Sequence, residues 1–323
     1  MLTAVLLFCV GLLCLVKGGD WFVDGAVGIA RRFRLPDLLI GATVVSVGTT
    51  LPEVMISAAS AVGGHGEIAY GNAIGSIICN AALVAAVTIA VRPGKADAAA
   101  LRLPVGFFFV AAVFYAAVAY TTGMFSRWVG IVLLAMFAAY MAAQVAAARR
   151  APAAPASGEA AEESAGGSLA VELVRLVLSA ALIALGANLM VDNGVVIAAG
   201  LGVPESVIAL TVVALGTSLP ELVTAITSLV KGHGALSLGN VIGANLFNLV
   251  LVNGVSVALA PFGLPEGSTL AGYNASLVLD LPVAFLVMVL LVAPPLWKGR
   301  LYRWQGVTLL ALYAAYCAVQ FTL

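Results

Sequence analysis

The sequence predicts an all-α integral membrane protein of ten transmembrane helices, built as two inverted-topology five-helix repeats with broken helices 2 and 7. Three observations lead there. Hydrophobic residues make up 63% of the chain and charged residues only 9%, far outside the range of a soluble globular domain. Apolar runs of about 20 residues, the number that crosses a hydrocarbon core of ~30 Å, recur from end to end. A shift of 168 places residues 35–80 on residues 203–248 without a gap, with identity at 20 of the 46 positions, which marks a duplication.

The expected spans are 3–27, 38–62, 68–91, 104–121, 126–147, 168–199, 206–230, 236–260, 278–296 and 303–322. The first meets Gly18, Gly19 and Asp20 without a small-residue cleavage site, so it is read as a retained helix rather than a signal peptide. Asp24 near its end corresponds to Asp192 in the sixth span, and each is expected to cap a helix or to pair with a neighbour such as Arg31 or Arg32.

The second span contains GATVVSVGTTLPEVMISAAS (41–60) and the seventh ALTVVALGTSLPELVTAITS (209–228). Pro52 and Pro220 donate no backbone hydrogen bond and clash with the carbonyl four residues earlier. These helices are therefore expected to break, releasing carbonyls around Val47, Thr49, Leu215 and Thr217. Each is followed by a GHG turn, at His65 and His233, and then by GNAIGSIICN (71–80) or GNVIGANLFN (239–248). Gly71 and Gly75, like Gly239 and Gly243, recur at the spacing that lets membrane helices pack closely. Asn72, Ser76 and Asn80 share one face, as do Asn240 and Asn248. The fourth and ninth spans open with RLPVGF and DLPVAF, where Asp280 is expected to favour a helix start.

Each half holds five spans, an odd number, so the second copy enters the membrane inverted, as in many secondary transporters. The organisation expected is a first repeat at 1–148, a flexible cytoplasmic linker rich in Ala, Pro, Gly, Ser and Glu at 149–168, and a second repeat at 169–323. With both termini outside, the inner loops hold thirteen Lys and Arg and the outer loops only Arg127, the positive-inside pattern of a cell (inner) membrane protein. A net charge of zero excludes a generally basic nucleic-acid binder. Cys9, Cys14, Cys79 and Cys317 have no metal-type spacing. HExxH and intramembrane Ser/His patterns are absent, so neither an enzyme nor a cofactor is expected.

One carboxylate follows each proline, Glu53 and Glu221, at membrane depth. A charge there costs at least ~2.5–3.5 kcal/mol on insertion scales and marks a functional site. Thr49, Thr50, Thr217 and Ser218 stand one turn before them. All these donors are oxygens, which suits a hard cation such as calcium or sodium rather than zinc or copper.

GTTLPE and GTSLPE, followed by GNxxGSxxxN and GNxxGAxxxN, resemble the two alpha repeats of the sodium/calcium exchanger family, within the cation/calcium antiporter superfamily, in its prokaryotic ten-helix type. The resemblance covers essentially the whole chain. It implies Ca2+ for Na+ antiport by alternating access, with helices 1 and 6 sliding across a rigid core. The chain is expected to function as a monomer. It places the ion ligands on Ser46, Thr49, Thr50, Glu53, Ser76 and Asn80, and in the second repeat on Ala214, Thr217, Ser218, Glu221, Ala244 and Asn248. Family members often carry Ser and Asp where this chain has Ala244 and Asn248. One hydroxyl and one charge are thereby missing, which leaves the counter-ion open between Na+ and H+. The alternatives to Na+/Ca2+ exchange are a Ca2+/H+ antiporter and, from a different class, a passive cation channel.

Overall fold

The computed structural model describes residues 2–33, 37–150, 169–200, 218–266, 269–270 and 272–320. Most of the linker and residues 201–217, with Ala214, Thr217 and the first part of the seventh span, lie outside the described residues. Without water in the bilayer core each backbone group must bond within its own segment, and the apolar runs accordingly become helices. They are α1 (Leu2–Arg32), α2 (Leu38–Val62), α3 (Gly66–Val91), α4 (Ala98–Thr122), α5 (Arg127–Arg150), α6 (Leu169–Gly200), α7 (Leu219–Val230), α8 (Gly234–Leu259), α9 (Ser276–Lys298) and α10 (Arg303–Gln320). Eight of these are long and apolar enough to cross a membrane. The others are α7, described for twelve residues, and α10, in which Arg303, Gln305 and Gln320 dilute the apolar run.

Two boundaries differ from expectation. The fourth helix starts at Ala98 rather than 104 because Asp97 accepts hydrogen bonds from the N–H groups of Ala99 (2.9 Å) and Ala100 (3.4 Å), an N-cap that a hydropathy reading passes over. The second helix does not break at Pro52. It continues through the proline to Val62, and its irregularity lies upstream, in a π-helical turn at Gly41–Val45. Pro52 removes one hydrogen bond without ending the helix. Pro220 sits in the first turn of α7, where a missing N–H is harmless.

The duplication is visible in local geometry. Both GHG turns pair a positive-φ glycine, Gly64 (φ 84°) and Gly232 (φ 86°), with a histidine at the N-cap of the next helix, His65 (φ −101°) and His233 (φ −94°). The His65 N–H donates to the Ser60 carbonyl at 2.8 Å and the His233 N–H to that of Ser228 at 2.7 Å. Further on, α3 and α8 each contain a π-helical turn, Asn80–Ala85 and Asn248–Val252. These begin at positions related by the same 168-residue shift.

Helices α3 and α8 form the centre; 72% and 83% of their apolar windows are buried, against 28% and 22% for α1 and α6. The main hydrophobic cluster joins Tyr70, Ile77, Phe108, Leu133 and Phe247. A second, separate cluster joins Leu15, Phe22, Val23 and Ile183 and belongs largely to α1 and α6. These two run antiparallel, because Gly11 faces Gly186, Gly18 faces Ile183 and Ser179, and Gly25 faces Glu172 and Leu176. Glycines seven apart on α1 thus oppose Gly186, Ser179 and Glu172, also seven apart, which is the period of a left-handed coiled pair. The pair meets the rest of the protein where Phe22 lies against Gly48, where Gly19 lies against Val223 and Thr227, and where Lys231 donates to Asp24 Oδ1 at 2.7 Å. Lys231 is therefore the partner seen for Asp24 among the described residues, because the turn after α7 brings its Nζ to α1, where it also meets the Asp20 carbonyl at 2.9 Å; the Arg31 side chain lies outside those residues.

The glycine spacing of α8 is used as expected. A Cβ on Gly239 would collide with the Leu38 carbonyl, and one on Gly243 with Ser46 Oγ and, at 2.7 Å, with the Ala42 Cα, so α2 and α8 touch backbone to backbone. Gly71 and Gly75 meet no described atom within 4 Å. Gly243→Ala is expected to destabilise the purified protein by about 1–3 kcal/mol, the usual overpacking cost. Gly71→Ala should leave the thermal midpoint within about a degree of wild type; equal losses in both variants would contradict this packing.

Candidate functional site

The site forms where α2 and α7 meet α3 and α8. The segment of α2 that bears Glu53 packs on the π-turn headed by Asn248, and α7, which bears Glu221, packs on the π-turn headed by Asn80. Each half thus supplies the wall for the other half's carboxylate. Glu53 and Glu221 are fully buried and close enough for their charges to repel. A π-turn inserts one extra residue into the helical register and is frequent at functional sites; here it begins at the asparagines of the site.

Around the glutamates the described residues leave a set of buried polar atoms without hydrogen-bond partners. It comprises both carboxylate oxygens of Glu53 and of Glu221, both amide atoms of Asn80 and of Asn248, and the hydroxyls of Thr50 and Ser218. Buried polar groups are nearly always paired, and an unpaired one forfeits about 1–3 kcal/mol. Their concentration at one place, from both halves, describes a cage of oxygen donors around two carboxyl groups. No Lys or Arg forms an ion pair with either glutamate among the described residues.

The remaining polar groups hold the cage in shape. Asn240 Oδ1 accepts from Ser46 Oγ and Thr49 Oγ1, both at 3.3 Å, and Ser46 Oγ also reaches the carbonyls of Gly41 (2.7 Å) and Asn240 (3.0 Å). Asn72 Nδ2 donates to the Glu53 carbonyl at 3.3 Å and to Ser57 Oγ at 2.8 Å. The two repeat-related asparagines therefore brace α2 at different places. Carbonyls of the π-turn are occupied as well: that of Ala42 accepts from Tyr140 on α5 at 2.8 Å. Along α2 the carbonyls with side-chain partners are those of Leu39, Gly41, Ala42, Ser46 and Glu53; no such partner is seen for Val47 or Thr49 among the described residues.

Of the residues expected at the site, Ser46, Thr49, Thr50, Glu53, Ser76, Asn80, Ser218, Glu221, Ala244 and Asn248 are all buried, while Thr217 and Ala214 fall outside the described residues. Ala244 is fully buried and brings no donor atom. Sequence reading passed over Ser57, Thr224 and Ser228, whose hydroxyls are fully buried; the last two have no partner among the described residues. Their signal was available, since they lie three or four and seven residues after a glutamate, on the same helical face. Asp280 does not serve a helix start. Helix α9 begins earlier, with a π-turn at Ser276–Asp280, and the carboxylate instead accepts from Tyr316 (3.0 Å) and Gln320 (2.6 Å) on α10.

Asn240→Ala removes the acceptor shared by Ser46 and Thr49. A stability loss of about 1–3 kcal/mol in denaturant unfolding is expected, against a smaller loss for Asn72→Ala at its half-buried position; the reverse order would contradict the bracing described.

Comparison with known proteins matches the family model described as sodium/calcium exchanger protein over residues 3–146 and 171–322. The inner membrane protein YrbG of Escherichia coli is 34% identical over 88% of this chain and 89% of its own. The sodium/calcium exchanger MaX1 of Methanosarcina acetivorans is 30% identical over 98% of both chains. Among solved structures, the sodium-calcium exchanger NCX_Mj soaked with 10 mM Na+ and no Ca2+ superposes with a TM-score of 0.80 at 31% identity, covering 98% of each chain.

Proposed function

The chain belongs to the sodium/calcium exchanger family, and from that premise we propose that it exchanges Ca2+ for Na+ across the membrane, binding the ions in turn between Glu53 and Glu221. The observation that carries this reading is the cage of unpartnered oxygens. Ca2+ takes 6–8 oxygen ligands at 2.3–2.6 Å, and the two glutamates, two asparagine amides, Thr50 and Ser218 supply that number of oxygens without a nitrogen or sulfur ligand. Two carboxylates offset one divalent ion. An ion in the cage relieves both their repulsion and the missing hydrogen bonds.

In the proposed cycle the two five-helix halves are inverted repeats, and the site opens to one side at a time. The hydrophobic cluster that joins α1 and α6 is distinct from the main one and meets α2 and α8 through Ile40, Val45 and Leu236, which supports a pair that shifts as one body over the core. The positive-inside pattern of the loops supports termini outside and the linker inside, in the cell membrane, and the meeting of both glutamates within one chain supports a functional monomer. A second reading, Ca2+/H+ exchange through the same glutamates, is favoured by Ala244 and Asn248, which give Na+ one hydroxyl and one charge fewer.

Calcium-45 uptake into proteoliposomes under separate sodium, potassium and pH gradients tests the proposal. A sodium gradient alone should drive uptake; uptake driven only by a pH gradient would replace Na+ by H+ as the counter-ion, and unsaturable flux without a trans ion would indicate a channel. Glu53→Gln and Glu221→Gln should each lower Ca2+ uptake roughly a hundredfold, as expected when a buried charge loses its partner. The wild-type protein should also gain about 2.7 kcal/mol of stability at Ca2+ one hundred times its Kd, a gain both variants should lack. Asn248→Asp restores a third charge and should alter the Na+ dependence of uptake; superimposable Na+ curves would remove Asn248 from ion selection.

A further inference from the structure

A second built pocket lies at the basic end of the bundle, away from the glutamates. It is a cavity of about 280 Å³ between the end of α3, the loop after it, the end of α7 and the start of α8. Arg92 and Lys95 line it, together with Ala235, Ser237, Leu229 and Leu38. Neither cation forms an ion pair among the described residues. Arg92 gives one hydrogen bond, to the Leu229 carbonyl at 3.3 Å, which holds the guanidinium at the rim with its other donors free. Lys95 is set in place by its loop, where the Ala96 N–H donates to Gly299 at 2.9 Å and the Leu301 N–H to Gly94 at 2.8 Å. Asp97, the carboxylate on the rim, is committed to the first turn of α4.

The floor carries further donors. Ser237 is 3% exposed and lines the cavity. The fourteen-residue α-helical stretch that opens α8 has no side-chain cap at His233, so its first N–H groups face an anion-favouring end of the helix. Two cations, a buried hydroxyl and open backbone donors beside apolar walls make a recess for a phosphate group with an apolar attachment.

The other repeat shows what the same place looks like without this role. At the 168-residue shift Glu67 replaces Ala235, Ala69 replaces Ser237, and Arg92 and Lys95 correspond to Ala260 and Gly263. There the start of α3 already has an acid in its first turn, and Phe262 lies against Gly66. One copy carries its own carboxylate and is closed by a side chain, while its duplicate is basic and open.

We propose that the pocket formed by Arg92, Lys95, Ser237 and the start of α8 binds the phosphate group of an anionic phospholipid headgroup or of free phosphate. Basic pockets between membrane helices take such headgroups. The site is independent of the cation cage, and its test reads binding rather than transport.

The full chain, purified in a neutral maltoside detergent, is titrated with phosphatidylglycerol, phosphatidylcholine and inorganic phosphate, with bound lipid read by native mass spectrometry and stability by thermal unfolding. Phosphatidylglycerol should be retained in preference to phosphatidylcholine and should raise the thermal midpoint. Arg92→Gln and Lys95→Gln should each weaken it roughly fivefold, the effect of one basic side chain near a charged surface. Ala235→Glu should abolish the preference by filling the recess with an internal anion. A glutamate in the first helical turn favours the helix, so an unchanged midpoint without lipid verifies that this variant is folded. Inorganic phosphate that stabilises the protein and displaces phosphatidylglycerol would show that the phosphate group alone is recognised, whereas stabilisation by the lipid only would assign the site to the headgroup with its chains. Equal binding of the two lipids, or wild-type binding of phosphatidylglycerol by Ala235→Glu, would overturn the proposal.

Discussion

Two carboxyl groups buried inside an apolar bundle, with no positive side chain paired to either among the described residues, are the constraint on which the rest of this structure depends. Ionising a buried carboxyl costs several kcal/mol even after the protein relaxes, and here two of them share one place. Neutral oxygens from both halves surround the glutamates, and the backbone has been irregularly wound to bring them there. The close approach of α2 and α8 through Gly239 and Gly243 is part of the same solution. It carries Ser46 and Thr49 to Asn240 and so fixes the face of α2 that presents Glu53.

A duplication explains how one site can be made from two halves that each hold an incomplete one. Each glutamate rests on the π-turn of the opposite copy, so neither half can complete the cage alone. The copies have since diverged around an unchanged pair of acids. Asn72 braces Glu53 and Ser57 within its own half, whereas Asn240 braces residues of the other half. Ser76 in the first copy corresponds to Ala244 in the second, which brings no hydroxyl to the buried face.

Much of this was legible in the chain. The apolar runs marked the helices because length and hydropathy decide membrane spans with little help from tertiary contacts, and the repeat pointed to Glu53 and Glu221 as partners before any contact was known. The π-turns were not legible. A one-residue change of helical register leaves no mark in hydropathy, and Pro52, the visible irregularity, proved tolerable while Gly41–Val45 carried the distortion. The partners of charged side chains were equally hidden. Asp24 found Lys231, 207 residues away, and Asp280 found Tyr316 and Gln320, because such pairings depend on which helices become neighbours rather than on local sequence.

The Lys231 contact has one more consequence. It joins the α1 and α6 pair to the end of α7, and it lies at the water-exposed margin, with the Asp24 side chain 51% exposed. Exposed ion pairs are worth about 0–1 kcal/mol and weaken as salt screens them. The charged part of the attachment at this end is therefore no stronger than ordinary thermal agitation, and dissolved electrolyte tunes it, while the packing of Gly19 on Val223 and Thr227 is indifferent to salt.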